Sequence, residues 1–175
     1  MNHLCLHNLL EPVYYSMNQK IVALKQLSRS LKKARQKKKK IVFTNGTFDI
    51  LHFGHVDYLK KAKKAGDLLI VAVNSDRSVR SYKSPNRPVN ALKYRMAVLS
   101  ALACVDYVIP FSEPTPLKLV EHLKPDVLVK GADWKKDQIA GAREVESWGG
   151  RVKRIRLVNG FSTTGILRKL GVEKG

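Results

Sequence analysis

Short apolar runs alternate along the chain with longer stretches in which apolar residues recur at helical spacing. Ile41-Val42-Phe43-Thr44 is a compact β-rich run that ends at Asn45-Gly46. Leu68 to Val73, Val105 to Ile109, Val127 to Val129 and Val152 to Leu157 repeat the pattern. Such runs read as strands buried on both faces. Between them, a helix starting near Gly54 sets Val56, Leu59 and Ala62 on one face and stops at Gly66-Asp67. Further helices are predicted over 91–103, 116–123, 138–148 and 163–170, the last capped by the Ser162 hydroxyl. Ahead of the first strand, residues 18–36 carry Ile21, Leu24, Leu27 and Leu31 at helical spacing with Lys and Arg between them. Residues 74–90 are polar, hold Pro85 and Pro88, and read as a loop.

Strands that alternate with helices imply a parallel sheet covered by helices on both faces. The predicted fold is therefore an α/β, Rossmann-like, five-stranded parallel sheet. Three stretches are expected: a disordered 1–16 without sustained periodicity, a basic helix and linker over 17–40, and the main domain over 41–175. Met17 is a candidate true start. In such sheets ligands bind outside the carboxyl ends of the strands. That directs attention to 44–55, 74–87, 130–134 and 159–164.

Composition narrows the function classes. Among 175 residues, 33 Lys+Arg against 14 Asp+Glu give a formal charge of +19, which favours anionic partners. Part of that excess is one local block, Lys32, Lys33, Arg35 and Lys37 to Lys40, which reads as a solvated helix end. No run reaches the roughly 18 apolar residues of a membrane span. Leu4 to Leu10 lacks the basic start and small-residue cleavage site of a signal peptide. Two cysteines, Cys5 and Cys104, form neither a disulfide framework nor a metal cluster, so a cytoplasmic location is expected.

The chemistry concentrates after the first strand, in Thr44-Asn45-Gly46-Thr47-Phe48-Asp49-Ile50-Leu51-His52-Phe53-Gly54-His55. Spacing of three puts both imidazoles on one face of a helix start. That start presents free N–H groups and the positive end of the macrodipole. Gly46 and Gly54 let the backbone approach an anion closely. The combination suits a polyphosphate, with His52 and His55 donating to phosphoryl oxygens as charge develops. A zinc site would need further ligands, and no Cys or Glu lies at a fitting spacing. Ser162, Thr163 and Thr164, at another helix start, offer a second phosphate cradle compatible with N-capping.

The loop and HxGH pattern resemble the signature of the cytidylyltransferase-like nucleotidyltransferases. "IVFTNGTFDILHFGHVDYLKKAKKAGDLLIVAVNSDRSV", "RPV", "VDYVIPFSEPTP", "PDVLVKGADW" and "GFSTTGIL" together resemble the branch of bacterial heptose 1-phosphate adenylyltransferases, over about residues 19–170. The resemblance implies AMP transfer from ATP to D-glycero-β-D-manno-heptose 1-phosphate. The products would be pyrophosphate and ADP-heptose for lipopolysaccharide core. It also implies a stand-alone form of a domain that many relatives fuse to a sugar kinase. By the same resemblance, Thr44 to Phe48 meet the nucleotide, with the Thr47 and Phe48 amides at the triphosphate. Lys83 neutralises phosphate charge. Arg87 serves the acceptor phosphate or faces water. Asp49 contacts the acceptor or braces its loop. Gly131 and Asp133 lie at the nucleotide edge, with Asp133 on the ribose or supporting the loop, and Trp134 flanks the base or closes the core. Mg²⁺ would be held mainly through triphosphate oxygens and water, and a homodimer would suit the family's habit. Asn159 stands where relatives often carry an acidic residue; it keeps the hydrogen-bonding shape and loses the charge. The alternatives are a cytidylyltransferase acting on glycerol phosphate or another alcohol phosphate and, from another class, a basic nucleic-acid-binding protein. Against the latter, no aromatic-rich RNA-binding strand and no helix-turn-helix pattern is present.

Overall fold

The computed structural model describes residues 19–171, so the expectations for 1–16 and Met17 lie outside the described residues. Five parallel strands run β1 (Ile41–Gly46), β2 (Leu68–Asn74), β3 (Tyr107–Phe111), β4 (Val127–Gly131) and β5 (Arg151–Ile155). Their order in the sheet is β3-β2-β1-β4-β5. β1 pairs on one side with β2, Ile41 opposite Leu68, and on the other with β4, Val42 opposite Val127. The chain thus winds outward from β1 to β3, then returns to β1's other side. The reversal opens a crevice between the carboxyl ends of β1 and β4, where such sheets bind ligands.

Alternate residues of each strand feed two separate cores. Val42, Val71 and Val129 pack under α2 (Phe53–Lys63) and α4 (Leu92–Ser100), against Leu59, Ala62, Met96 and Leu99. Phe43, Ile70 and Leu128 face the other way, toward α1 (Leu24–Gln36), α5 (Leu117–Leu123) and α6 (Ala142–Ser147). Leu27 and Leu31 of α1 are fully buried there, each contributing ~1.5–3 kcal/mol of burial free energy. The basic helix therefore shares the sheet's core, while Lys37 to Lys40 stand exposed at its end. Among the described residues no helix is long and apolar enough to cross a membrane.

Four departures from the sequence pattern have physical causes. The first helix begins at Leu24, because Ile21 and Val22 extend along the edge strand β3 instead. Ile21 bridges Val108, and the Val22 amide donates to the Val108 carbonyl at 3.0 Å. Two β-branched residues there occupy backbone groups that an open edge would expose. The stretch read as a loop over 74–90 contains α3 (Asp76–Tyr82). Ser75 caps it, accepting from the Ser78 amide, but with Val79 as its one buried apolar residue it shows no helical stripe. The helix expected over 138–148 is broken, a single 3-10 turn at Lys136–Gln138 preceding α6. Gly141 separates them at φ 90°, and a Cβ there would come within 2.8 Å of Val120. Finally, β5 is not apolar on both faces: Arg151, Lys153 and Arg154 are exposed and Ile155 is buried. Charged side chains on an edge strand discourage pairing with another chain.

A buried arginine and a buried ion pair brace the loops above the sheet. Arg95, 2% exposed, donates to the carbonyls of Thr47, Asn74 and Asn90 and to Asp76. Asp49, 4% exposed, accepts from Arg87 Nε and from the amides of Val89 and Asn90. Replacing Arg95 by Met removes one charge and orphans several buried acceptors. Urea denaturation should show Arg95→Met less stable by ~3–5 kcal/mol, against less than half that for a surface control such as Arg143→Met.

Candidate active site

The loop after β1 turns sharply into α2. Phe48 adopts a left-handed backbone at φ 47°, uncommon for a bulky residue and so marking a constrained turn. Its ring lies over Gly46, where a Cβ would sit 3.0 Å from it. The same ring meets His55 at 5.3 Å between centroids. His52 is the N-cap of α2 and His55 lies in its first turn. Their rings stack, centroids 3.9 Å apart at an interplanar angle of 22°. Gly54 makes this possible: an added Cβ would lie 3.1 Å from the His52 ring and 3.1 Å from Phe161 Cβ.

These residues form one wall of a cleft of about 350 Å³ at the β1–β4 crevice. Asn45, Gly46, Thr47 and Phe48 line it from the first loop, with His52, Gly54 and His55 from the start of α2. Lys83 reaches it from the end of α3, and Gly131 and Asp133 from the end of β4. Ser162, Thr163 and Thr164 close it from the start of α7 (Thr163–Lys169). Ser162 caps that helix as expected, accepting from the Gly165 amide at 3.0 Å.

Three expected residues are not on the cleft wall. Thr44 is fully buried, its hydroxyl 2.7 Å from that of Tyr58. Asp49 and Arg87 are buried together behind the loop, their Oδ2–Nε contact 2.9 Å. With both carboxylate oxygens engaged, Asp49 braces the loop, and acceptor contact does not fit its geometry.

Trp134 lines the cleft too; Tyr58, Lys130, Leu157, Val158 and Phe161 also line it but were not among the expected site residues. Lys130 carried the clearest signal, a lone charge closing the apolar run Val127-Leu128-Val129. Tyr58 follows His55 by three residues and so shares its helix face. Leu157 was read as the end of the last strand, and Phe161 lay within the 159–164 stretch without a role of its own.

The electrostatics suit a polyanion. Burial, then the neighbouring His52 and Lys83 charges, pull the His55 imidazole down to about 4. Burial also lowers His52. At neutral pH both rings are uncharged, and each carries one N–H. The Nδ1 atoms of both rings and the Asn45 Oδ1 are buried without hydrogen-bond partners. These three atoms are shut off from solvent, while the residues that carry them line the cleft. Among the described residues no group of three or more His, Cys, Asp and Glu side chains gathers to hold a metal ion. Asp133 supplies the cleft's one carboxylate.

A parallel sheet with a switch-point crevice, stacked imidazoles at a helix start, flanking lysines and a hydroxyl-rich second helix start together suit a nucleotidyltransferase. The chain belongs to the cytidylyltransferase-like family, whose model matches residues 43–169. It is similar, at 51% identity over 154 residues, to the bifunctional protein HldE of Actinobacillus pleuropneumoniae, the match covering 88% of this chain and 32% of that protein. HldE of Pseudomonas savastanoi pv. phaseolicola is 53% identical over 150 residues, covering 86% of this chain and 32% of that one. The chain thus spans about a third of the length of these curated relatives. Among solved structures it resembles the lipopolysaccharide core biosynthesis protein of Thermoplasma volcanium GSS1. That match has a TM-score of 0.58 and 36% identity, covering 69% of this chain and 97% of that one.

The depressed imidazole has a checkable consequence. In the free protein the His55 Cε1–H resonance should titrate near pH 4 and not near the ordinary ~6.5. An unfolded histidine takes up its proton at higher pH than the folded one. The stabilisation linked to His55 is therefore complete above about pH 6.5 and declines as pH falls toward 4. An NMR midpoint above 6 would contradict the burial of this ring.

Proposed function

We propose that the protein transfers AMP from ATP to D-glycero-β-D-manno-heptose 1-phosphate, releasing pyrophosphate and forming ADP-heptose for lipopolysaccharide core. The observation that carries the reading is the stacked His52–His55 pair at the start of α2, sharing one cleft with Lys83 and residues 162–164. The choice of acceptor is supported by the sequence resemblance across five separate motifs. It is also supported by similarity to HldE and to a lipopolysaccharide core biosynthesis protein.

In this mechanism an oxygen of the acceptor phosphate attacks the α-phosphorus of ATP in line. The bond from that phosphorus to the bridging oxygen breaks, and pyrophosphate leaves with its electron pair. No protein nucleophile takes part. The imidazole N–H groups of His52 and His55 stabilise oxygens on the α-phosphoryl group and the bridge as charge shifts toward the leaving group. Their uncharged state suits them to donate without holding the product. Lys83 balances charge on the β- and γ-phosphates, and Ser162, Thr163 and Thr164 orient them. The cleft's donors are imidazoles, ammoniums, amides and hydroxyls with one carboxylate. A magnesium ion therefore fits as a triphosphate-borne ion with water, Asp133 being the one candidate side-chain ligand. It would supply further neutralisation of the triphosphate. Asp49 and Arg87 hold the loop that carries the histidines. The free Cys104 thiol suits a reducing, cytoplasmic setting.

The test is pyrophosphate release with Mg²⁺ and each NTP, paired with the heptose phosphate or glycerol phosphate. Release confined to ATP with the heptose phosphate is expected. Release with CTP and glycerol phosphate would keep the mechanism and move the acceptor, whereas release with no pair would overturn the reading. His55→Ala should fold normally and lose ~10²–10³ in kcat; near-normal turnover would remove His55 from the mechanism.

A further inference from the structure

Lys130 has no task in the reaction as argued above, yet the fold places it at the centre of the crevice. β1 and β4 pair up to Thr44 opposite Val129, so Lys130 and Asn45 are the next residues on either side of the switch point. Its Nζ lies 3.4 Å from the Asn45 carbonyl, a contact at the outer limit of a hydrogen bond, and 5.3 Å from the centroid of the Trp134 ring. An ammonium carries three N–H donors, and here it is half-buried on the cleft floor.

The surroundings do not balance this charge. Lys130 stands beside Arg154 in the β4–β5 register, and Lys83 faces the same cleft. Asp133 is the one carboxylate lining it, and its side chain curls back over Gly131, where a Cβ would meet Asp133 Oδ1 at 2.2 Å. Burial outweighs the help from Asp133 and pulls the ammonium down to about 8. A structural role would be filled at least as well by an uncharged chain of similar length lying over Trp134. Replacing buried charge by a hydrophobe is often neutral or stabilising. A charge kept where it costs stability marks a functional site.

We propose that Lys130 is an anion anchor of the substrates: from the β1–β4 floor, between the Asn45 carbonyl and the Trp134 ring, its ammonium binds a phosphoryl oxygen of the bound nucleotide or of the phosphorylated acceptor. The inference rests on the reading of this crevice as a nucleotidyl-transfer site. It adds a binding residue at the point where the two substrates meet.

The test uses Lys130→Met and Lys130→Arg in the full chain. Calorimetry measures affinity for α,β-methylene-ATP, for the heptose 1-phosphate and for inorganic pyrophosphate. Thermal unfolding of Lys130→Met should match or exceed the wild type, while affinity for at least one probe falls at least tenfold and Lys130→Arg recovers part of it. Loss confined to the ATP analogue assigns the anchored oxygen to the nucleotide, and loss confined to the heptose phosphate assigns it to the acceptor. Reductive ¹³C-methylation, with Lys130→Met identifying the resonance, supplies a readout that a structural lysine would not move. The Lys130 signal should titrate near 8 in the free protein and shift upward on saturation with the probe. Equal affinities in wild type and Lys130→Met for all three probes, a Lys130 titration unmoved by saturation, or no binding of any probe by the wild type would each overturn the proposal. Lys130-dependent binding of pyrophosphate without turnover of any substrate pair would leave the anchor standing and overturn the proposed reaction instead.

Discussion

A single buried guanidinium organises the active face of this protein. Arg95 rises from α4 and holds the carbonyls of Thr47, Asn74 and Asn90 together with Asp76. Those four partners belong to the loop after β1, the last residue of β2, the segment before α4, and the start of α3. Parallel strands end side by side and leave their following loops with no ladder to join them. A planar group with five fixed donors can tie such loops where an apolar side chain cannot. The Asp49–Arg87 pair repeats the device one layer out, binding the 87–90 segment to the first loop. Both devices are buried, so breaking either leaves uncompensated polar groups, and the loops hold one geometry.

That rigidity gives the imidazole pair its chemistry. Stacking two rings at 3.9 Å and burying their Nδ1 atoms disfavours protonation of either. The site accepts this cost because the loop cannot relax: Phe48 is pinned over Gly46 in a left-handed turn, and Gly54 admits the His52 ring and Phe161 together. The histidines therefore await a ligand as neutral donors, and the fixed positive charge of the cleft comes from lysines. Attraction over distance and hydrogen bonding at the reacting centre thus reside in different side chains.

The sheet and its two helical layers were legible from apolar periodicity, because every central strand is buried on both faces. The cleft-lining histidines and hydroxyls were legible as well, since the His52-Phe53-Gly54-His55 spacing and the Ser162 cap are local patterns. Three kinds of feature were not. α3 has one buried apolar residue and no stripe, so its cap at Ser75 was the whole signal. Ile21 keeps helical spacing with Leu24 but pairs with β3, a tertiary choice that periodicity cannot express. Asp49 and Arg87 lie 38 positions apart, and only the closed fold shows that they pair with each other behind the loop and off the cleft wall. Lys130 was visible as a charge at the end of an apolar strand, but its meaning depends on Asn45 standing across the crevice.

The cleft walls are not equally secured, and the inequality has a direction. The β1, β2 and α4 side is fastened by Arg95 and Asp49 and rests on a continuous core. The opposite wall, from Leu157 to Thr164, follows an edge strand with one buried residue and leads into a helix that buries Leu167. It meets the first wall through the Phe53–Phe161 contact, 5.2 Å between centroids, and both rings are about half exposed. Segments with few buried contacts open at low free energy. In the proposed reaction a nucleotide and a sugar phosphate both enter one cleft, and pyrophosphate leaves it. The lightly held wall is the one that can yield, while the heavily fastened wall keeps the histidines in register. Ser162, Thr163 and Thr164 stand on that lightly held side, across the cleft from the fastened histidines.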